Sequence, residues 1–556
     1  MTTLDEPVST ELNHRQIMTI LTGLLLGMFL AALDQTIVST AIRTIADELH
    51  GLDVQAWVTT AYLITSTIAT PLYGKLGDIY GRKPLFVFAI AVFIIGSLAC
   101  SFANSMASLA AYRAVQGIGA GGLFSLALAI IGDIVPPRER AKYQGYFLAV
   151  FGTSSVLGPV IGGFFAGHNS ILGITGWRWV FLVNVPLGLI ALAVVIRTVH
   201  LHHQRQDHRL DWGGAAALVL GLVPLLTVAE QGRDWGWTST NSITCYVVGA
   251  IGVVLFVIAE WRMGEEALLP LRMFANKAVG VTILGHAVIG MAMFGAMMML
   301  PLYMQIVHGA TPMNAGLMML PMVGGMMLAS IGTGIVISRT GIIRPFPIIG
   351  SVLLLIGLLS LSTIDADTAL WKVMALMFVV GVGLGNNMQP LTLIVQNAVS
   401  PREIGVATAS ATFFRQMGGT LGVAVFLSLL FNTVGDNIKT ALTKAAATPE
   451  FRSAVGTALQ DPAIRRDPQA FSLIQGIADP VHHGAGLAQV NKDSSVLNRL
   501  PDAIAHPFQQ GFAESMAHVF WVAGLIAILG VIVLSLMPKI TLRTQSPMSA
   551  RTAGIE

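Results

Sequence analysis

Residues 20–42 read ILTGLLLGMFLAALDQTIVSTAI, a run of 23 residues in which Asp34 is the only ionisable side chain. A helix crosses the hydrocarbon core of a bilayer with about 20 predominantly apolar residues. This run is long and apolar enough to do so. It therefore predicts a membrane-spanning helix that carries one carboxyl group inside it.

The composition of the whole chain agrees with this prediction. The 556 residues are 54% hydrophobic and 11% charged, with a mean hydropathy of +0.71, whereas soluble domains carry roughly 25% charged residues. The net charge of +3 and the lack of a basic run argue against nucleic-acid binding. Cys100 and Cys245 give no metal-site spacing, so we expect two buried thiols, with a disulfide bridge between them as the open alternative.

Fourteen segments meet the length criterion for a membrane span. They are 16–40, 54–73, 84–103, 107–134, 142–166, 178–199, 211–230, 244–262, 278–302, 314–338, 345–364, 370–395, 405–433 and 514–537. An even number of spans puts both termini on the same side of the membrane. The acidic start of the chain is unlike a signal peptide, so we expect the first span to be retained.

The distribution of basic residues predicts the orientation. Loops on the cytoplasmic side carry the excess of Lys and Arg. With both termini inside, the inner loops include the basic clusters around residues 75–83 and 138–142, whereas the short outer loops hold only Arg43, Arg178, Arg233 and Lys372. We therefore expect both termini to be cytoplasmic, in the cytoplasmic membrane of a bacterium.

One outer loop, residues 434–513, is long, polar and rich in alanine. Its basic and acidic residues balance, and long loops cross the membrane largely regardless of charge. We expect it to be partly helical, with disorder as the alternative.

The chain repeats a pattern of glycines and charges at an offset of 264 residues. Gly117, Gly119 and Gly121 recur as Gly381, Gly383 and Gly385, and the tripeptide Pro-Arg-Glu at 137–139 recurs at 401–403. Parallel repeats are one known plan of membrane transporters. The sequence therefore predicts an all-α membrane fold of two six-helix bundles with two inserted helices. The predicted divisions are 1–15 (tail), 16–200 (first bundle), 210–262 (inserted pair), 277–537 (second bundle, containing the loop 434–513) and 538–556 (tail).

The loop after the second span reads GKLGDIYGRKPLF, residues 74–86. It resembles the signature loop of the major facilitator superfamily, with Gly74, Asp78, Gly81, Arg82 and Lys83 at the matching positions. The resemblance implies that Asp78 and Arg82 join Asp133, at the end of the fourth span, in a latch that stabilises the outward-facing state. The alternative is an inner loop that is basic for topological reasons alone.

Further segments resemble the fourteen-span drug/proton antiporters of that superfamily: LDQTIVSTAI (33–42), LAAYRAVQGIGAGG (109–122), SSVLGPVIGG (154–163) and WRWVFLVNVPLG (177–188). The matching motif residues are Gln116, Gly117, Gly119, Gly158, Pro159, Gly162 and Gly163. A proline removes one helix hydrogen bond, and glycines let helices approach closely, so the fifth span is able to bend. The resemblance implies multidrug efflux driven by protons.

Asp34 and Arg113 are predicted to lie at the same depth. Asp34 precedes the outer end of the first span by six residues, and Arg113 follows the outer start of the fourth by six, about 9 Å each at the helical rise per residue. Opposite charges at one depth offset the cost of burying either alone, which is at least about 2.5 kcal/mol. We predict that this pair handles the coupling proton. A static ion pair that holds two helices together is the alternative.

Candidates for the substrate path are polar or flexible residues deep in spans. Twelve of the 25 methionines fall between residues 291 and 327, and methionine suits surfaces that accept many shapes, although core filling explains most of them equally simply. The candidates are Tyr62, Met297, Gln305, Asn386, Asn387, Gln389 and Arg415.

The predicted function is proton-coupled efflux of lipophilic, often cationic compounds by a monomer embedded in membrane lipids. The alternative is a mover of an endogenous lipid or metabolite on the same fold. An ATP-driven pump needs a Gly-x-x-x-x-Gly-Lys-Ser/Thr loop, and Gly74-Lys75 is followed by leucine and lacks the earlier glycine. No enzyme activity, cofactor or metal site is predicted.

Overall fold

The computed structural model describes residues 14–50, 56–199, 211–400, 403–478, 494–540 and 542. Most of the predicted tails 1–15 and 538–556, and the segment 479–493 of the predicted outer loop, lie outside the described residues. The described chain is helical almost throughout. In hydrocarbon, a helix satisfies every backbone N–H and C=O within its own segment, which is why apolar runs of this length adopt it.

The first half consists of six membrane-spanning stretches. Its helices are α1 (His14–Glu48), α2 (Ala56–Tyr80), α3 (Arg82–Ser101), α4 (Met106–Ile134), α5 (Pro137–Ala166), α6 (Trp179–Leu182) and α7 (Asn184–Thr198). A two-residue antiparallel pair, β1 (Ser170–Ile171) with β2 (Ile174–Thr175), and a 3-10 turn at Gly176–Arg178 lead from α5 to α6. The stretch Gly176–Thr198 forms the sixth span.

The second half repeats this arrangement after an inserted pair. The inserted helices are α8 (Trp212–Trp235) and α9 (Thr240–Met263), followed by the short α10 (Leu271–Ala275). The second bundle contains α11 (Lys277–Ile306), α12 (Pro312–Met318), α13 (Leu320–Thr340), α14 (Pro345–Leu361), α15 (Leu370–Ala398), α16 (Ile404–Ala446) and α20 (Asp502–Ser535). Here α12 and α13 together form one span, Met313–Thr340.

Each of the fourteen predicted spans corresponds to helix. Twelve stretches of the described chain are long and apolar enough to cross a membrane. The other two predicted spans fall on α2 and on α14, an apolar helix of 17 residues. The predicted all-α fold of two bundles with an inserted pair is therefore confirmed, and the chain is a multi-pass membrane protein.

The internal repeat is present in the packing as well as in the sequence. A Cβ atom on Gly117 would contact the carbonyl oxygen of Tyr62 in α2, and one on Gly381 would contact that of Met322 in α13. Gly121 and Gly385 face Ser66 and Met326 in the same way. Glycines thus permit α4 and α15 to pack directly on the backbone of corresponding helices in the two halves.

Helix α8 of the inserted pair packs against both bundles. A cluster of buried apolar side chains joins Leu218 and Leu222 of α8 to Ile64 and Ile68 of α2 and to Phe413 of α16. Because α2 belongs to the first bundle and α16 to the second, α8 covers the groove where the two meet.

Helices fill most of the described part of the loop 434–513. The helix α16 continues past the predicted end of its span at residue 433 to Ala446, and α20 begins at Asp502, twelve residues before the predicted start. Between them lie α17 (Pro449–Ala458), α18 (Pro462–Arg465), α19 (Pro468–Ala478) and a 3-10 helix (Ser494–Arg499). The criterion for a span counts apolar residues only. A helix can extend beyond the apolar segment into water where its polar residues also favour helix.

Both cysteines are free thiols, so the disulfide bridge left open by the sequence does not form in this structure. Cys100 is buried as expected, but Cys245 is partly exposed on α9.

Candidate functional site

Asp34 lies in the middle of a closed polar network inside the first bundle. Its side chain is fully buried, and its Oδ2 atom lies 2.5 Å from Nη1 of Arg113. Its Oδ1 atom accepts hydrogen bonds from Nε2 of Gln116 at 2.9 Å and from Nδ2 of Asn184 at 2.8 Å. Three donors therefore surround one carboxylate, and one of them is a guanidinium of opposite charge.

Arg113 is held equally firmly. Its Nη1 atom also donates to Oε1 of Gln116 at 2.7 Å, and its Nε atom donates to the backbone oxygen of Val58 at 3.3 Å. The guanidinium lies over the ring of Tyr62, with its carbon 4.0 Å from the ring centre. Salt-bridging and a cation–π contact both help to compensate a buried guanidinium.

Ser97 and Asn184 complete the network, and sequence reasoning did not predict either of them. Ser97 Oγ accepts from Gln116 at 2.5 Å and from Asn184 at 3.4 Å. Asn184 falls inside the quoted segment 177–188, where it is the only amide among apolar residues. This isolated amide is visible in the sequence. The pairing of Asn184 with Asp34 is not, because it depends on how α7 is rotated about its axis.

The network is a buried ion pair whose carboxylate also accepts hydrogen bonds from two amides. The carboxylate and the guanidinium neutralise each other, and no part of Asp34 is exposed to solvent in this conformation. Protonation of Asp34 would remove the partner charge of Arg113 and leave a buried cation uncompensated, which is energetically costly.

The charged residues of the 74–86 loop form a chain of contacts at one end of the bundles, which we call the basic end. Arg82 lies between two carboxylates: Nη2 is 3.0 Å from Asp78 and Nη1 is 2.7 Å from Asp133. Arg82 also donates to the backbone oxygen of Ala129 in α4. Asp78 reaches the other bundle, where its Oδ2 atom accepts from the backbone N–H of Val406 at 2.9 Å. These contacts link α2, α3 and α4 to the start of α16.

The two glycines of this loop have distinct structural roles. Gly81 has a φ of 94°, a conformation that side chains disfavour, and it allows α3 to begin directly after α2. Gly74 packs on α16, where an added Cβ would lie 3.1 Å from the backbone oxygen of Gly405 and closer still to Ala409. Lys83 donates instead to the backbone oxygen of Ile196, at 3.0 Å, within the first bundle.

Further polar contacts close the two bundles against each other at this end. The buried Arg140 donates from Nη1 to Oε1 of Gln396 at 2.6 Å, and Gln396 donates back across the interface to the backbone oxygen of Leu128 at 3.1 Å. Deeper in the molecule, Thr70 lies 3.4 Å from Gln416. The basic end is therefore closed in this structure.

The glycines of the two antiporter-like motifs bring helices together. Gly117 packs on α2 and Gly119 on α3, while Gly158 and Gly162 pack on α1 near Thr36 and Ile37. Gly163, in contrast, has open space where a side chain would be. Pro159 contacts Gly316 of α12, so the bend-prone part of α5 touches both the first helix and the second bundle.

A narrow cavity lies between the bundles, and its volume of about 20 Å³ has room for about one water molecule in this closed state. Its wall comprises Met28 of α1, Phe124 and Leu128 of α4, Phe147 and Phe151 of α5, Met388, Gln389 and Thr392 of α15, and Arg415 of α16. The helices that contribute to it come from both bundles: α1, α4 and α5 from the first, and α15 and α16 from the second. It has the position expected for a transported compound.

Two of the predicted substrate-path residues, Gln389 and Arg415, line this cavity. Tyr62 belongs to the Arg113 network instead. Met297 and Gln305 do not line the cavity, and Met297 packs on the core of the second bundle, as do most of the neighbouring methionines. Asn386 accepts from Thr333 at 2.6 Å, and Asn387 donates to the backbone oxygen of Gly383 at 2.9 Å, so both stabilise packing among helices.

Two bundles related by an internal repeat, with a cavity between them, define a secondary transporter by its fold. A family model described as Major Facilitator Superfamily matches residues 24–423, and the chain belongs to this superfamily. It is a membrane transporter of small molecules and not an enzyme.

Named relatives are similar over most of the chain. The multidrug transporter protein MdtP of Bacillus subtilis (strain 168) is 36% identical over 422 residues, which cover 76% of each chain. Multidrug resistance protein 3 of the same organism is 33% identical over 536 residues, 95% of this chain and 96% of that protein. A solved structure of the proton:xylose symporter XylE matches with a TM-score of 0.58 over 97% of this chain and all of that chain, and at 14% identity this likeness concerns the fold alone.

Proposed function

We propose that the chain is a proton-coupled efflux pump that exports lipophilic, amphipathic compounds from a bacterial cell. The buried network of Asp34, Arg113, Gln116 and Asn184 carries this proposal. Ionisable residues inside a membrane are costly, and they mark proton or substrate pathways in transporters. The relatives named for multidrug transport support export as the direction.

The basic end faces the cytoplasm in this proposal, and both termini lie there, in the cytoplasmic membrane. The excess of Lys and Arg at that end supports the orientation. The closed contacts of Asp78 and Arg140 then represent a state whose cytoplasmic gate is shut. A cysteine at Lys83 should react with an impermeant reagent only from the cytoplasmic side.

The transport cycle follows from the Asp34 network. A proton that reaches Asp34 from outside neutralises the carboxylate, and Arg113 turns to its remaining acceptors on Gln116 and Val58. The loss of the ion pair loosens α1 from α4 and favours opening of the basic end. Release of the proton to the cytoplasm restores the pair, and the cavity is again closed at that end.

The link from Asp34 to the second bundle runs through α5. Thr36, two residues after Asp34, donates to the backbone oxygen of Ser154 at 2.9 Å. Four residues beyond Ser154, Gly158 packs on Thr36, and the adjacent Pro159 contacts Gly316. A movement of α1 therefore reaches α12 through a contiguous set of packed residues.

The test is uphill export in proteoliposomes with an imposed pH gradient. We use the neutral dye N-phenyl-1-naphthylamine and follow dye movement together with dye-dependent proton flux. Asp34→Asn should insert normally and lose both signals. The control Glu514→Gln makes the same acid-to-amide change on α20, where Gln510 donates to it at 3.1 Å outside this network, and it should retain both. Undiminished uphill export by Asp34→Asn would refute the proton role.

A second candidate is the movement of an endogenous lipid or metabolite on the same fold. The largely apolar wall of the cavity, with Phe124 and Phe151 stacked at 5.3 Å, favours an amphipathic ligand of either origin. Movement of a labelled phospholipid that survives complete collapse of the proton gradient would favour this second function.

A further inference from the structure

We propose that the central cavity selects amphipathic substrates with an anionic head group, a carboxylate, sulfonate or phosphate, which Arg415 binds. The inference rests on the proposed export function for its direction and adds the substrate class. It departs from the preference for cations that the family resemblance implies.

Arg415 is the reason for this assignment. It is partly buried on α16 and contributes to the wall of the cavity. Within the described residues, no carboxylate lies within ion-pair distance of its guanidinium, and no side chain or backbone oxygen is hydrogen-bonded to it. Buried charges are normally paired, and an arginine offers a planar set of donors that suits a carboxylate or phosphate.

The contrast with the other buried arginines supports this interpretation. Arg113 is paired with Asp34, Arg82 lies between Asp78 and Asp133, and Arg140 donates to Gln396. These three have structural partners on neighbouring helices. Arg415 lines the cavity instead, so a bound ligand is the partner that would compensate its charge.

The rest of the wall suits the same kind of molecule. Gln389 and Thr392, three residues apart on α15, add an amide and a hydroxyl to the polar side of the cavity. Opposite them lie the aromatic rings of Phe124, Phe147 and Phe151. A small pocket with one charged anchor and an apolar wall is typical of sites that bind amphipathic ligands.

A cation would find no compensating charge there. None of the described residues that line the cavity is acidic. Asp34 is fully buried and committed to Arg113, and the sequence has no Asp or Glu between Glu266 and Asp365. A lipophilic cation in the cavity would therefore be repelled by Arg415 without an attractive partner.

Charge selection also has a consequence for the driving force. Exchange of one proton for one neutral molecule moves one positive charge inward. Exchange of one proton for one monovalent anion moves two, so export of the anion depends more steeply on the membrane potential.

The experiment compares two dyes that differ by a single sulfonate, 8-anilinonaphthalene-1-sulfonate and neutral N-phenyl-1-naphthylamine, with ethidium as the cation. Wild-type protein in nanodiscs should bind the sulfonate dye more tightly than its neutral parent, and both more tightly than ethidium. In proteoliposomes, Arg415→Gln should lower export of the sulfonate about tenfold or more relative to export of its neutral parent. Arg415→Lys keeps the charge and should retain part of the preference.

Arg344→Gln is the matched control, because Arg344 lies in the same bundle and is also partly buried, but it donates to the backbone oxygen of Ser535 and is absent from the cavity wall. It should leave the ratio between the two dyes unchanged. Equal binding of sulfonate and parent by the wild type overturns the proposal without any variant. An unchanged dye ratio in Arg415→Gln overturns it as well, as does tighter binding of ethidium.

A further measurement with labelled lipids shows whether the anionic head group belongs to a lipid or to a free amphipathic compound. Movement of fluorescent phosphatidylglycerol, but not phosphatidylcholine, that depends on Arg415 assigns the anionic head to a lipid, whereas export of the sulfonate dye alone assigns it to a free amphipath. The experiments distinguish a failure of the proposed export function from a failure of this inference. If Asp34→Asn keeps uphill export of the neutral dye, the proton role fails, whereas an Arg415-dependent preference in downhill flux upholds the present inference.

Discussion

The carboxylate of Asp78, at the end of α2, accepts a hydrogen bond at 2.9 Å from the backbone N–H of Val406, in the first turn of α16. A side chain of one bundle thus caps a helix of the other. The first N–H groups of a helix have no partner within it, and the helix dipole favours a negative charge at this end. Asp78 therefore adds a charged contact to the closure of the basic end, beside the contacts of Arg140 and Gln396.

Replacement of Asp78 by asparagine should weaken this closure. The amide keeps an oxygen for Val406 but loses its charge and its salt bridge with Arg82. Capping and dipole effects of about 0.5–1.4 kcal/mol correspond to a loss of roughly twofold to tenfold in transport rate. Substrate binding should change less than twofold, and a cysteine at Thr408 should become accessible from the basic end.

Glu403→Gln is the control for this variant, since Glu403 forms an exposed ion pair with Arg272 within the second half at 2.7 Å. Exposed pairs contribute little, so its transport should stay near that of the wild type. Markedly weakened substrate binding in Asp78→Asn would instead place the 74–86 loop in the substrate path.

Gly74→Ala should disturb the same interface by steric contact. The new methyl group would lie 3.1 Å from the backbone oxygen of Gly405 and closer to the side chain of Ala409. We expect slower transport and increased accessibility of the basic end. Ala409→Gly removes the nearest atom, so the double variant Gly74→Ala/Ala409→Gly should recover much of the loss. If the double variant is no better than Gly74→Ala alone, the contact with Ala409 is not the cause.

The pairing of Asp34 with Arg113 could be predicted from sequence because it depends on depth alone. Helices rise by a fixed amount per residue, so two antiparallel spans place these residues at matched heights. The contacts of Asn184 and Ser97 could not be predicted in that way. The cost of burying a neutral polar side chain in the membrane is too small to require a partner at the same depth. The direction in which such a side chain points also depends on the rotation of its helix.

The contacts between bundles were less accessible to sequence reasoning. The partner of Asp78 is a backbone N–H, which has no sequence signature. In the sequence, Arg140 is one of several basic residues in a predicted inner loop, and nothing there indicates its contact with Gln396. The repeat does not help here either. At the 264-residue offset, Arg113 corresponds to Met377 and Gln116 to Val380, both fully buried and apolar. The second half keeps the helix packing of the first without its charged site.

The pair of Asp34 and Arg113 should behave as a unit in stability measurements. Arg113→Gln alone leaves a buried carboxylate without its counter-charge, a loss of about 3–5 kcal/mol in stability. The double variant Asp34→Asn/Arg113→Gln removes both charges, so its thermal unfolding temperature in detergent should lie well above that of Arg113→Gln. Neither variant should support uphill export. Additive losses in the double variant would indicate that the two charges act independently.

Asn184→Leu should impair proton coupling while leaving the fold intact. Leucine fills a similar volume but removes the donor that lies 2.8 Å from Asp34, and a hydrogen bond to a charged group contributes about 1.5–3 kcal/mol. Asp34 would retain Arg113 and Gln116 as partners, so we expect about a tenfold loss of gradient-driven export with downhill dye flux retained. Asn387→Leu is the matched control, because Asn387 is an equally buried amide that donates to the backbone oxygen of Gly383. If both variants lose uphill export to the same extent, the effect comes from burial of an amide in a span, and Asn184 has no special role toward Asp34.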